Sequence, residues 1–282
     1  LIAYAATDEV LEWMVRSGLK AFTIGIESGN SRMLTNIKKP ATKPKLREAK
    51  KRFDQYPQVL STANFIIGFP NETFKEMLDT FEFALELELD WARYFICQPL
   101  RGTEMFSAFQ ALADDRIDYH MSEDINPAKT RLDSDFLNPV KTRQAPESLK
   151  DGPTYSDGEI LSGMSVFAID PNSVPSQHQL KEIWFTFNLI TNFFRNRNLS
   201  QSGNPAKVVK WVESVHSVYP FDASMCAFLA FGHKLLGDQA MGEQYDRKFH
   251  EILGQSQYWK MRIGQFPEIR RLVGRLPDGQ VG

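Results

Sequence analysis

The first hundred residues alternate between two hydrophobic periods. Phe22, Ile24 and Ile26 are separated by Thr23, Gly25 and Glu27, a period of two that predicts a β-strand with one apolar face and one small or polar face. Residues 59–69 ("VLSTANFIIGF") and the stretch "WARYFICQP" predict two more strands, and the opening "LIAYAA" reads as a short buried one. Between them the spacing changes to three and four. Leu11, Met14 and Val15 follow a capping Thr7; Met33, Leu34 and Ile37 follow Asn30; Leu46, Ala49 and Phe53 follow Thr42. Thr73 and Glu76 form a capping-box pattern ahead of Met77, Phe81 and Ala84, and "GTEMFSAFQAL" opens a further helix. Repeated strand–helix units predict parallel strands joined by crossover helices, an α/β fold that is either an open sheet or a barrel.

From Asp114 the texture changes. Residues 114–178 are polar and interrupted by proline, and predict an irregular connection in which "DGEILSGMSVFAID", with Glu159 and Asp170, is a candidate lid. From residue 179 the helical period returns, with Leu180, Ile183, Trp184, Phe187, Ile190 and Phe194 along one side. The expected organisation is therefore 1–113, the later strands of a partial (β/α) TIM-like barrel; 114–178, a connection; and 179–282, a mostly α-helical, repeat-like region.

Composition narrows the function. A net charge of −2 over 282 residues gives no electrostatic reason to expect nucleic acid or an anionic membrane as the main partner. No apolar run approaches the ~20 residues of a membrane span. With only two cysteines, Cys97 and Cys226, and no CxxC pair, a cytoplasmic protein without its own metal site is expected. Both thiols read as small core side chains. The basic run Lys38 to Arg52 reads as a solvated helix face, from which only Lys39 is retained as a candidate.

In a parallel barrel, ligands are held at the C-terminal ends of the strands. With Phe22, Ile24, Ile26, Phe65 and Ile67 facing the helices, Glu27, Asn64, Ile66 and Gly68 converge on the other face, where the glycines permit close approach. The segments "GIESGNSRMLTNIKK", "NFIIGFPNET" and "QPLRGTEMF", in this order, resemble the later strands of radical S-adenosylmethionine (SAM) enzymes. The nearest resemblance is to the Elp3/MiaB-like barrels, and among them to the cobalamin-dependent type. That resemblance covers about residues 1–113. It implies that Glu27 and Ser28 contact the ribose or amino-acid end of SAM, and that Lys39 pairs with its carboxylate. Asn64 contacts the ribose, Ile66 and Gly68 lie by the adenine, Phe95 and Ile96 flank it, and Thr103 shapes the end of the last strand.

The family's CxxxCxxC loop, which ligates a 4Fe–4S cluster, is absent from these 282 residues. The resemblance then implies a truncated chain, inactive alone, whose cluster ligands and any cobalamin domain lie outside it. An external electron donor and a small-molecule or natural-product substrate are expected, with no nucleic acid. An open barrel edge predicts poor solubility. Two other readings stand beside this one. The first is a non-catalytic binding scaffold derived from the same family. The second is an unrelated TIM-barrel enzyme using Glu27 as general base and Lys39 as a Schiff-base amine.

Overall fold

The structure, a computed structural model, describes residues 6–112, 169–200 and 203–273. The chain divides into two compact units, Leu1–Ser122 with Leu161–Asn196, and Glu123–Ile160 with Arg197–Gly282.

In the first unit, helix α1 (Asp8–Arg16), strand β1 (Ala21–Glu27), helices α2 (Ser31–Asn36) and α3 (Lys43–Phe53), and strand β2 (Leu60–Ile67) succeed one another. Helix α4 (Phe74–Leu87), strand β3 (Trp91–Ile96) and helix α5 (Glu104–Ala111) follow. The strands form one parallel sheet in the order β1-β2-β3. This is a mixed α/β unit, as expected. The described strands form an open sheet of three, however, and barrel closure is not seen among them; the first expected strand, residues 1–6, lies outside the described residues apart from Ala6.

The helix-facing side of the sheet carries Phe22, Ile24, Ile26, Ala63, Phe65, Ile67 and Tyr94, buried against Leu11, Leu46, Phe53, Met77 and Phe83. Local chemistry fixes the helix starts. Thr7 accepts from Val10 N, Asn30 from Met33 N and Thr103 from Phe106 N, while Thr73 and Glu76 complete the capping box. Thr42 holds its cap position without a side-chain bond. At the base of the sheet, buried Asp90 accepts from Ser61 N at 2.7 Å and from Ser61 Oγ at 2.8 Å. Asp90→Ala strands both donors. The expected loss is about 1–3 kcal/mol, read as a lower urea midpoint with an unchanged slope.

The helical region expected from residue 179 divides at Asn196. Helix α6 (Gln177–Leu189), continued by a π-helical turn (Ile190–Phe194), belongs to the first unit. Its Leu180, Ile183 and Phe187 enter the sheet's core, and Phe187 stacks on Phe81 with ring centroids 4.5 Å apart. Leu180, Ile183 and Phe187 of the stripe read from the sequence are thus core packing, whereas Trp184 stays exposed. The candidate lid lies largely outside the described residues, apart from Ile169 and Asp170.

The second unit is helical among its described residues. It comprises a 3₁₀ turn (Arg197–Leu199) and helices α7 (Pro205–Val218), α8 (Ala223–Leu235), α9 (Gln239–Gln255), α10 (Gln257–Gln265) and α11 (Pro267–Arg270). The central helix α8 is buried along most of its length between α7 and α9. No described helix is long and apolar enough to cross a membrane.

Candidate cofactor site

Glu27 ends β1 in an unusual conformation. The β1–β2 register shifts between Gly25 and Glu27, so that Gly25 pairs with Asn64 and Glu27 with Phe65. Glu27 adopts φ 71°, the left-handed region, which costs a non-glycine residue about 1–2 kcal/mol. The strain turns its carboxylate back over the strand. Lys39 arrives from the other side, because its N–H bonds to Leu34 O (2.9 Å) in the turn that ends α2. Lys39 Nζ then donates to Glu27 Oε1 at 2.9 Å, with both side chains about a quarter exposed. The pair sits directly on Gly25: a Cβ there would lie 2.5 Å from Glu27 Oε1 and 3.2 Å from Lys39 Nζ.

Asn64 lies beside Gly25 on β2, and its Oδ1 is buried with no hydrogen-bond partner among the described residues. A buried amide oxygen left unpaired is costly, and marks a place where a donor belongs. Two residues on, Ile66 packs with Met33, Phe69, Cys97 and Phe109 in a small apolar cluster at the C-terminal end of the sheet. Gly68 has φ 81°, and its Cα is covered by Leu180, which a Cβ would meet at 2.6 Å. Its N–H donates to Glu72 Oε2 at 2.6 Å, as does Phe69 N at 3.0 Å. On β3, Arg93 pairs in register with Asn64, and Phe95 with Ile66. Arg93 is half-buried, and burial lowers its pKa.

The structure therefore brings Glu27, Lys39, Asn64, Ile66 and Phe95 to one face, with Gly68 at its end. It sends two candidates elsewhere. Ser28 is fully buried, its hydroxyl 3.0 Å from Thr80 Oγ1 and accepting from Asn30 N at 3.0 Å. Ile96 packs with the helix-facing core. Thr103 caps α5. Sequence reasoning passed over Arg93 and Glu72. Arg93 was open to discovery from alternation alone, since it shares a parity with Phe95 in "WARYFI".

Other candidates fare as the sequence suggested. The basic helix face is largely neutralised: Arg47 pairs with Glu86, Lys50 with Asp54, Lys51 with Glu48, and Lys38 with Glu104. In the second unit Cys226 Sγ lies 3.4 Å from His216 Nε2, but burial pushes the thiol up to about 12 and holds the imidazole down to about 4. That pair is neutral and inert at physiological pH. No described cluster of three His, Cys, Asp or Glu side chains could hold a metal. Two buried cysteines in separate units do not fit the ligand set of a 4Fe–4S cluster. The sheet face carries groups of the kind a zwitterionic, hydroxyl-bearing cofactor such as SAM needs: a carboxylate and an ammonium, a glycine floor, and an amide oxygen without a partner among the described residues.

No protein-family model matches the chain. It is similar to an uncharacterised methyltransferase of Pyrococcus horikoshii, 33% identical over 99 residues, covering 35% of this chain and 21% of the relative. It is also similar to the ribosomal protein uS12 methylthiotransferase RimO of Rhodopseudomonas palustris, 31% identical over 113 residues (39% and 25%). A third relative is the tRNA-2-methylthio-N(6)-dimethylallyladenosine synthase of Fusobacterium nucleatum, 26% identical over 163 residues (56% and 36%). The chain thus spans between about a fifth and about a third of the length of these relatives. The two methylthiotransferase-type relatives are radical SAM enzymes, the superfamily that the three quoted segments resemble. The partner expectation needs correction. These relatives are named for a ribosomal protein and a tRNA adenosine, which overturns a small-molecule substrate with no nucleic acid. Net charge misled here because it averages over the chain and says nothing about a local recognition surface.

Proposed function

We propose that the first unit is the SAM-binding part of a radical SAM enzyme of the methylthiotransferase kind, acting on a macromolecule, with tRNA the leading substrate class. The observation that carries the reading is the Glu27–Lys39 pair held over Gly25, beside the unpaired Asn64 Oδ1. Lys39 meets the cofactor's carboxylate, Glu27 its amino or ribose end, and Asn64 a ribose hydroxyl. Ile66 and Phe95 supply an apolar wall for the base. Ser28 acts by fixing the loop after β1 rather than through its own hydroxyl. Bound SAM supplies the methyl group and, with a cluster ligated outside this chain, radical chemistry. The tRNA preference is supported by the longer alignment with the tRNA-named relative. The partial-barrel architecture belongs to the same proposal, whereas the names of the relatives give cobalamin no support.

Lys39 engaged in an ion pair suits a carboxylate-binding role better than a Schiff-base amine. A scaffold without cofactor would have no use for a strained Glu27.

Gly25→Ala tests the reading cleanly. The atoms in its way are the ends of two flexible side chains, so Tm is expected to stay within a few degrees. Yet the added methyl displaces the pair, and SAM affinity by calorimetry is expected to fall at least about tenfold, ~1.4 kcal/mol. Equal SAM affinity in the parent and in Gly25→Ala, or no SAM binding at all, would sink the reading.

A further inference from the structure

Strand β3 is the last of the described sheet, with β2 on one side. Alternate residues of a strand direct their peptide groups to opposite edges. Cys97 N donates to Ile67 O at 2.8 Å, so its parity faces β2, and the outer edge belongs to Asp90, Ala92 and Tyr94. Each of these is met by a side chain from α6, from the π-helical turn after it, or from just past that turn. Trp184 Nε1 donates to Tyr94 O at 2.6 Å, and Asn196 Nδ2 donates to Asp90 O at 2.8 Å. Between them, Asn192 Oδ1 accepts from Ala92 N at 2.7 Å while its Nδ2 donates to Ala92 O at 2.6 Å. Asn192 thereby offers Ala92 the acceptor and donor that a neighbouring strand's peptide groups would offer.

Asn192 lies in the π-helical turn and Asn196 two residues past its end, and their amides reach Ala92 and Asp90, alternate strand residues roughly 6.6 Å apart. In the π-helical turn Arg195 N reaches back to Ile190 O at 2.8 Å, and Thr191 Oγ1 meets Tyr94 OH at 3.1 Å. Trp184, still 39% exposed, spends its indole N–H on the strand rather than burying its ring.

We propose that Trp184, Asn192 and Asn196 form a substitute strand that ends the sheet at β3 and denies that edge to strand addition by a second copy of this chain. An uncovered edge carrying Trp91, Tyr94, Phe95 and Ile96 is a template for pairing, and the copy at highest local concentration is the chain's own. This proposal does not depend on SAM binding.

Hydrogen exchange and light scattering on the whole chain test it. In the parent, the Ala92 amide is expected to be protected like the β2 amides. Asn192→Ala is expected to speed its exchange about a hundredfold and to make the apparent mass rise with concentration. Trp184→Phe, at an exposed position, removes one edge donor and leaves both Asn192 bonds to Ala92, so protection is expected to persist; it serves if the alanine variant does not fold. An unprotected Ala92 amide in the parent, or its loss of protection in Trp184→Phe, overturns the substitute strand. Unchanged exchange in a folded Asn192→Ala does the same. Faster exchange at constant mass overturns the exclusion of a second copy.

Discussion

Raising the pH from about 4.5 to about 8 is expected to weaken the first unit through one carboxyl, that of Glu72. This residue is fully buried, and burial, its largest influence, pushes the carboxyl from 4.5 up to about 8 against the pull of the Gly68 and Phe69 N–H groups. Below pH 4.5 the group is protonated whether the chain is folded or not, and folding is indifferent to it. Between 4.5 and 8 the unfolded chain ionises while the folded one holds its proton, so stability falls with rising pH. Each unit of such a shift is worth about 1.4 kcal/mol, and the whole window amounts to a few kcal/mol. Glu72→Gln keeps an acceptor for both N–H groups and removes the charge. Above pH 8 it is expected to be more stable than the parent, and its urea midpoint is expected to vary less between pH 5 and 8. Parallel pH profiles for the two proteins would show that Glu72 ionises in the fold at no cost. Glu76, four residues on, acts in a separate window: its bond to Arg32 holds it down to about 2, and the stability it contributes is lost as pH falls from 4.5 towards 2.

Much of the first unit was legible because its determinants are local. Alternation at Phe22–Ile24–Ile26 set one face of β1, and short-range capping chemistry marked the starts at Asn30 and Thr73. What escaped depends on contacts distant in sequence. The register shift at Gly25/Glu27 arises from pairing with β2, nearly forty residues away, and leaves no mark in β1 itself. Asn192 reads as a polar residue in an aromatic helix until Ala92, 100 residues earlier, is found beside it. The same holds for the boundary between units, since a helical stripe does not reveal which core it enters. In the site, Glu27, Lys39 and Asn64 were found through resemblance and strand parity. Their physical relation, an ion pair resting on a glycine, was not written in either.

Gly29→Ala is expected to be the most damaging small substitution in the unit, and the reason separates it from Gly25→Ala. A Cβ at Gly29 would lie 2.5 Å from Asp79 O, 2.6 Å from Phe83 Cβ and 2.8 Å from Thr80 Cα. These atoms belong to the body of α4 and cannot swing aside as the ends of Glu27 and Lys39 can. The glycine lets the loop after β1 lie against that helix, where Gly29 N donates to Thr80 Oγ1 at 3.0 Å and Ser28 Oγ meets the same hydroxyl. Relieving the clash means moving the loop off α4, which breaks both bonds and opens the packing around Phe83. A loss of about 3 kcal/mol or more follows, of the size seen for overpacked cores. Because Glu27 stands two residues before the glycine, the shifted loop also carries its carboxylate away from Lys39. Gly29→Ala should therefore lower Tm and SAM affinity together, whereas Gly25→Ala should lower affinity alone. If Gly29→Ala melts with the parent, the loop yields without cost, and α4 does not fix the position of Glu27.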